Sequence, residues 1–189
     1  MIAKERDLQM CSTFGLALRT ASNGSRTRHE ATYARAGSAA RFWEMRELRR
    51  EIEIDAPPER VWAVVTDFAA YPEWNPFIRR ISGELREGAR LEVRIEPPGA
   101  RATTFKPTVR AVEANRELRW LGRLLLPGIF DGEHSLRIEP LDGGRSRFLQ
   151  SERFSGILVG LVKGTLARTE DGFAQMNAAL KARVGQAST

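Results

Sequence analysis

The chain has 189 residues and a formal net charge of +6, but that charge is unevenly placed. Residues 1–50 carry ten Lys/Arg against five Asp/Glu, and residues 51–189 carry twenty against nineteen, so the larger part lacks the electrostatic footprint of a nucleic-acid binder. One cysteine (Cys11) and two histidines (His29, His134) exclude an internal disulfide and the common His/Cys metal sites, and no EF-hand spacing or carboxylate cluster takes their place.

In chain order, the first segment is compositionally distinct. Thr13 to Arg41 is rich in Arg, Ser and Ala and nearly free of acid, so residues 1–47 are expected to form a disordered basic extension. That composition fits a targeting-like segment, or a non-native start with Met45 as the working initiator. The longest apolar run, Ile157 to Val162, falls far short of the about 20 residues that cross a bilayer, so no integral membrane segment and a cytoplasmic location are expected.

Residues 48–186 read as one domain. Glu51 to Asp55 alternates as a strand. Pro57 and Pro58 suit the first turn of a helix, where a missing N–H costs nothing, and Val61, Val65 and Phe68 recur at helical spacing. Pro72 and Pro76 limit residues 70–77 to a turn and a short helix. Strands follow at Ile81-Gly83-Leu85, at Leu91-Val93-Ile95, over Phe105 to Val112 and over Glu117 to Leu124. After an apolar loop ending at Phe130, residues 132–139 and 145–154 form a hairpin around Asp142-Gly143-Gly144. Leu166, Thr169, Phe173, Met176, Leu180 and Val184 mark one face of a long amphipathic helix, with Gly156, Gly160 and Gly164 predicting a broken or loop-like entry. The class is α+β: a curved antiparallel sheet of about seven strands wrapped on a long C-terminal helix, with two short helices after the first strand.

Several of these residues resemble a known family. The strand–helix opening, the run Trp62…Asp67…Tyr71-Pro72-Glu73-Trp74-Asn75-Pro76 and the terminal amphipathic helix are similar to the SRPBCC superfamily, START-like helix-grip proteins also grouped as polyketide cyclase/dehydrase-like. Gly132-Glu133-His134, Glu152-Arg153-Phe154-Ser155-Gly156 and Phe173 to Lys181 resemble a bacterial subgroup of unassigned role, and the likeness spans about residues 49–184. It implies a helix-grip fold with a deep, mostly apolar cavity between sheet and C-terminal helix. Members include lipid and sterol carriers, hormone receptors, aromatase/cyclases and co-chaperone-type activators, and the fold does not choose among them.

Strand parity nominates what lines such a cavity. His134, Leu136 and Ile138 share one face, as do Phe148, Gln150, Glu152 and Phe154, so the apolar faces carry His134 and Glu152 inward. A hairpin closing with Leu141 opposite Arg145 sets His134 directly opposite Glu152, with Cβ atoms about 4.5–5.5 Å apart. Such a pair suits a general base or proton shuttle, or simply a buried polar pair that satisfies itself. Trp74, Phe77, Phe105, Trp120, Phe148, Phe154, Phe173 and Met176 are the apolar contact candidates, and ordinary core packing explains the same residues. Asn177 is a polar guest on the helix face, reaching a ligand or water, or else bonding the strand opposite. Asn75 between Trp74 and Pro76 reads as a turn former. Arg119, Arg123, Arg137, Arg147 and Arg153 fall on the outward face. The expectation is a binding protein for a hydrophobic or amphipathic small molecule (lipid, quinone or polyketide-like) with no cofactor and no metal. A cyclase or dehydratase using His134 and Glu152 is the alternative, and a protein-interaction module using the Leu124 to Phe130 loop is a third. The sequence sets no oligomeric state.

Overall fold

The computed structural model describes residues 44–124, 126–159 and 163–186; the basic extension with Cys11 and His29, Leu125 and the Gly160 region lie outside them. Strand β1 (Glu44–Ile54) leads to helix α1 (Pro58–Thr66), which Pro58 starts and which buries Val61 and Val65. A 3-10 turn (Phe68–Ala70) and the one-turn helix α2 (Tyr71–Trp74) complete the corner. The corner is held from inside. Tyr71 is fully buried and its hydroxyl donates to the Val65 carbonyl at 2.8 Å, while burial pushes the phenol well above its usual range. Asn75 is also buried, and its Oδ1 accepts from the backbone N–H groups of Phe77 (3.0 Å) and Ile78 (2.8 Å), so it sets the turn into the next strand.

Seven further strands follow: β2 (Ile78–Ser82), β3 (Glu92–Ile95), β4 (Thr103–Phe105), β5 (Thr108–Glu113), β6 (Glu117–Leu124), β7 (Phe130–Leu141) and β8 (Arg145–Gly156). They do not form one sheet. The five-stranded sheet runs β1-β8-β7-β6-β5 and the three-stranded sheet β2-β3-β4. The single strand expected over Phe105 to Val112 is divided at Lys106-Pro107: β4 pairs with β3, while β5 pairs with β6. Pro107 has no N–H for a ladder, and its own carbonyl accepts from Leu91 N–H at 2.9 Å. An Arg90–Thr108 bridge stitches the two sheets.

Helix α3 (Lys163–Gln186) packs along the five-stranded sheet with Phe173, Met176, Leu180 and Val184 buried. Ion pairs ring this contact at Arg50–Glu170 (3.1 Å), Lys181–Asp55 (4.0 Å) and Arg183–Glu73 (2.8 Å), linking the helix to β1 and to α2. Each of these side chains is more than a third exposed, so the pairs orient the helix more than they stabilise it. No described helix is long and apolar enough to cross a membrane.

Candidate functional site

The β7–β8 hairpin closes with Leu141 opposite Arg145, and this register pairs His134 with Glu152. The next strand outward brings Trp120 opposite His134, and on the other side Leu48 lies opposite Glu152. A single row across the inner face therefore reads Trp120–His134–Glu152–Leu48. His134 is 4% exposed and held on all sides. Trp120 stacks on its ring at 4.7 Å with the planes 11° apart, and Phe173 from α3 meets it edge-on at 5.2 Å.

Both ring nitrogens are engaged. Nδ1 lies 3.5 Å from Glu152 Oε2, and Nε2 lies 3.2 Å from the amide nitrogen of Gln150. The Gln150 amide also donates to Met176 Sδ at 3.3 Å. A thioether only accepts, so the NH2 end of Gln150 faces Met176 and His134, which makes Nε2 an acceptor and places the neutral ring's proton on Nδ1. His134 thus donates to Glu152 while accepting from Gln150. Sequence parity places Gln150 on the inner face, but nothing in the sequence marks it as a partner of His134.

Two glycines shape the row beside this one. Gly122 and Gly132 are paired across β6 and β7, leaving the inner face without side chains there. The Phe105 ring lies 3.5 Å from where a Gly122 β-carbon would stand, and Glu152 Oε1 lies 2.8 Å from the Gly132 position. Gly132 is what lets the Glu152 carboxylate lie across the strand toward His134.

The apolar candidates distribute as follows. Phe77, Trp120, Phe148, Phe173 and Met176, each no more than 2% exposed, belong to one contiguous core, with Trp74 and Phe105 packed against its edge. Phe77 meets Phe173 edge-on at 5.6 Å and its ring covers Gly172 of α3. Phe154 stands apart from that core, against Phe130 at 5.5 Å, and Trp74 pairs with Tyr71 at 5.0 Å. Asn177 is 3% exposed, and neither end of its amide has a hydrogen-bond partner. The Gln150 carbonyl oxygen is buried and unpartnered too. Among the described residues no group of three or more His, Cys, Asp or Glu is placed to hold a metal ion.

The opposite face of the sheet is a different chemistry. A groove of about 230 Å³ runs there between Arg49, Glu117, Arg119, Ser135, Arg137 and Ser151. Glu117 accepts from Ser135 at 2.8 Å and pairs with Arg119 and Arg137, each at 3.7 Å. Arg147 pairs with Glu53 at 3.4 Å and Arg123 with Asp131 at 3.8 Å, so these outward arginines neutralise neighbouring carboxylates. In the loop before β7, Leu126 is 66% exposed, and Gly128 and Ile129 carbonyls accept from Ile157 and Leu158.

A family model described as polyketide cyclase / dehydrase and lipid transport matches residues 45–185. The chain belongs to that family. Its fold is similar to several solved structures. The aromatase/cyclase from Streptomyces sp. R1128 aligns with a TM-score of 0.64 at 15% identity, over 77% of this chain and 97% of that one. A START superfamily protein from Mycobacterium smegmatis aligns with a TM-score of 0.57 at 23% identity, over 74% and 97%. A truncated norcoclaurine synthase from Thalictrum flavum aligns with a TM-score of 0.59 at 14% identity, over 75% and 94%. At these identities the likeness carries the helix-grip fold alone. No curated protein matches the chain.

Proposed function

We propose that the protein binds a hydrophobic or amphipathic small molecule between the five-stranded sheet and α3, in the cytosol and without a prosthetic group. The observation that carries this reading is a set of buried polar atoms without partners, the Gln150 carbonyl oxygen and both ends of the Asn177 amide, on an otherwise apolar inner face. Buried polar groups are ordinarily hydrogen-bonded, and few convergent polar groups in an apolar wall are the usual make-up of a ligand pocket. Family membership supports the same reading. The apolar walls are Phe77, Trp120, Phe148, Phe173 and Met176, with Phe105 and Trp74 at the edge and Phe154 beyond. Because the core side chains touch, a ligand enters by moving some of them, and the unbranched Met176 thioether is the most adaptable. Native mass spectrometry of the full chain as expressed, with a thermal-shift panel of sterols, quinones, aliphatic alcohols and polyphenols, tests this. A retained small molecule or a ligand-dependent rise in Tm is the expected result. A bare protein unmoved by every class would overturn it.

The His134–Glu152 pairing at 3.5 Å favours a second reading, an acid–base cyclase or dehydratase. Its support is weaker because Gln150 occupies the Nε2 lone pair that a general base needs. That reading expects His134→Gln to abolish turnover of a bound polyketide-type substrate while affinity stays within a few-fold. Turnover that survives in the variant would rule it out.

A further inference from the structure

The polar atoms left over on the inner face differ in kind, and this bears on the ligand. Gln150 is fully buried, and its two amide hydrogens are committed to His134 Nε2 and Met176 Sδ. Turning the amide over would set its carbonyl oxygen against a sulfur that cannot donate. The unpartnered atom is therefore a carbonyl oxygen, which accepts and cannot donate. On the same face, at the other nitrogen of the His134 ring, stands the carboxylate of Glu152, also an acceptor, with its side chain 17% exposed. Asn177, one helical turn from Phe173 and adjacent to Met176, offers an unpartnered N–H donor and an unpartnered carbonyl. Among the described residues the buried guanidinium nitrogens without a hydrogen-bond partner belong to Arg60 on α1 and to Arg119 on the outer face of β6. Helix α1 begins at Pro58, ten residues past Leu48, the residue opposite Glu152.

Resting on the cavity reading above, we infer that the ligand's buried polar end is a neutral hydroxyl, a phenol or an alcohol, that donates to the Gln150 carbonyl, and that carboxylates are rejected. A hydroxyl supplies the donor Gln150 lacks. A quinone carbonyl or an ether has no hydrogen to give, and would leave the Gln150 oxygen unpaired. A fatty-acid carboxylate would place a second negative charge in the same poorly hydrated space as Glu152, where like charges are least screened. The discrimination follows the rule that a site built to pair a hydroxyl rejects the analogue without one.

Matched probes separate these claims. Titration calorimetry on the full chain compares 2-naphthol, naphthalene and 2-naphthoate, with 1-dodecanol and dodecanoate as a longer pair. The expected result is that each hydroxyl probe binds at least tenfold more tightly than its carboxylate. Gln150→Leu, which keeps the side chain's approximate size and removes its amide, should weaken 2-naphthol about tenfold and leave naphthalene unchanged. Glu152→Gln should raise naphthoate affinity at least threefold, and it keeps the test open if Gln150→Leu does not fold. Carboxylates that bind as tightly as their hydroxyl partners in the unaltered chain, or a naphthol affinity indifferent to Gln150, would overturn the inference while leaving the cavity reading standing. If neither naphthalene nor any hydroxyl probe binds, the cavity reading falls, and the inference with it.

Discussion

The two faces of the five-stranded sheet are built from the same alternating strands, yet they treat polar residues in opposite ways. On the outer face Glu117, Arg119, Glu133 and Arg137 pair with one another and remain partly in contact with water, so every charge has a partner and none is isolated. On the inner face His134, Gln150 and Glu152 form a short chain of bonds from Met176 to the carboxylate, and the Gln150 carbonyl oxygen within that chain is left without a partner. The outer charges each face an opposite charge, even where a single atom such as Arg119 Nε or Asp131 Oδ1 makes no hydrogen bond, whereas on the inner face a neutral carbonyl oxygen has no partner of either kind. A charge-paired network on a solvated surface needs no further partner. An open one inside an apolar layer describes a place where another molecule's polar group would complete it. For that reason the outer groove is the poorer candidate for the proposed ligand site.

The sharpest way to break this contrast is to remove the side chain that closes the inner layer. Phe173 touches His134 and Phe77 and is fully buried. Phe173→Ala should cost about 3–5 kcal/mol, measured as the shift in urea midpoint at constant m, because it removes an aromatic contact and leaves a cavity. A cost under about 1 kcal/mol would mean that α3 is not packed on the His134 row, and the inner face would lose its closed apolar character.

How much of this was legible beforehand differs between the faces. The inner register could be read because two features agree: alternation fixes which residues point inward, and the three-residue turn at Asp142-Gly143-Gly144 fixes which residues oppose. Together they place His134 against Glu152, as the structure does. The part played by Gln150 was not legible. A glutamine between Phe148 and Glu152 announces its face but not its partner, and its role depends on Met176, which arrives from a helix 26 residues later. The break of the sheet at Pro107 was signalled by the missing N–H, yet the continuous apolar alternation around it reads as one strand. Gly122 and Gly132 each look like a weak point in a strand. Only their pairing shows that they open space for Phe105 and Glu152. Tyr71 and Asn75 were legible as a corner, and the hydrogen bonds to Val65, Phe77 and Ile78 give the physical reason.

The smallest effect belongs to the outer face. Arg137 is 55% exposed and lies 3.7 Å from Glu117, whose carboxylate keeps Ser135 and Arg119 when Arg137 is gone. Arg137→Ala should therefore cost no more than about 1 kcal/mol in unfolding free energy, because an exposed pair gains little over its hydrated parts. Added salt should shrink that difference further, since charges separated through water are screened over about 8 Å at physiological ionic strength. The measurement is the same urea titration, run at low and at high salt on both proteins. A cost above about 2 kcal/mol that salt leaves intact would mean that Glu117 depends on this arginine as a buried charge depends on its partner. The outer network would then be structural in the same sense as the inner one, and the distinction between a closed solvated face and an open buried one would have to be redrawn.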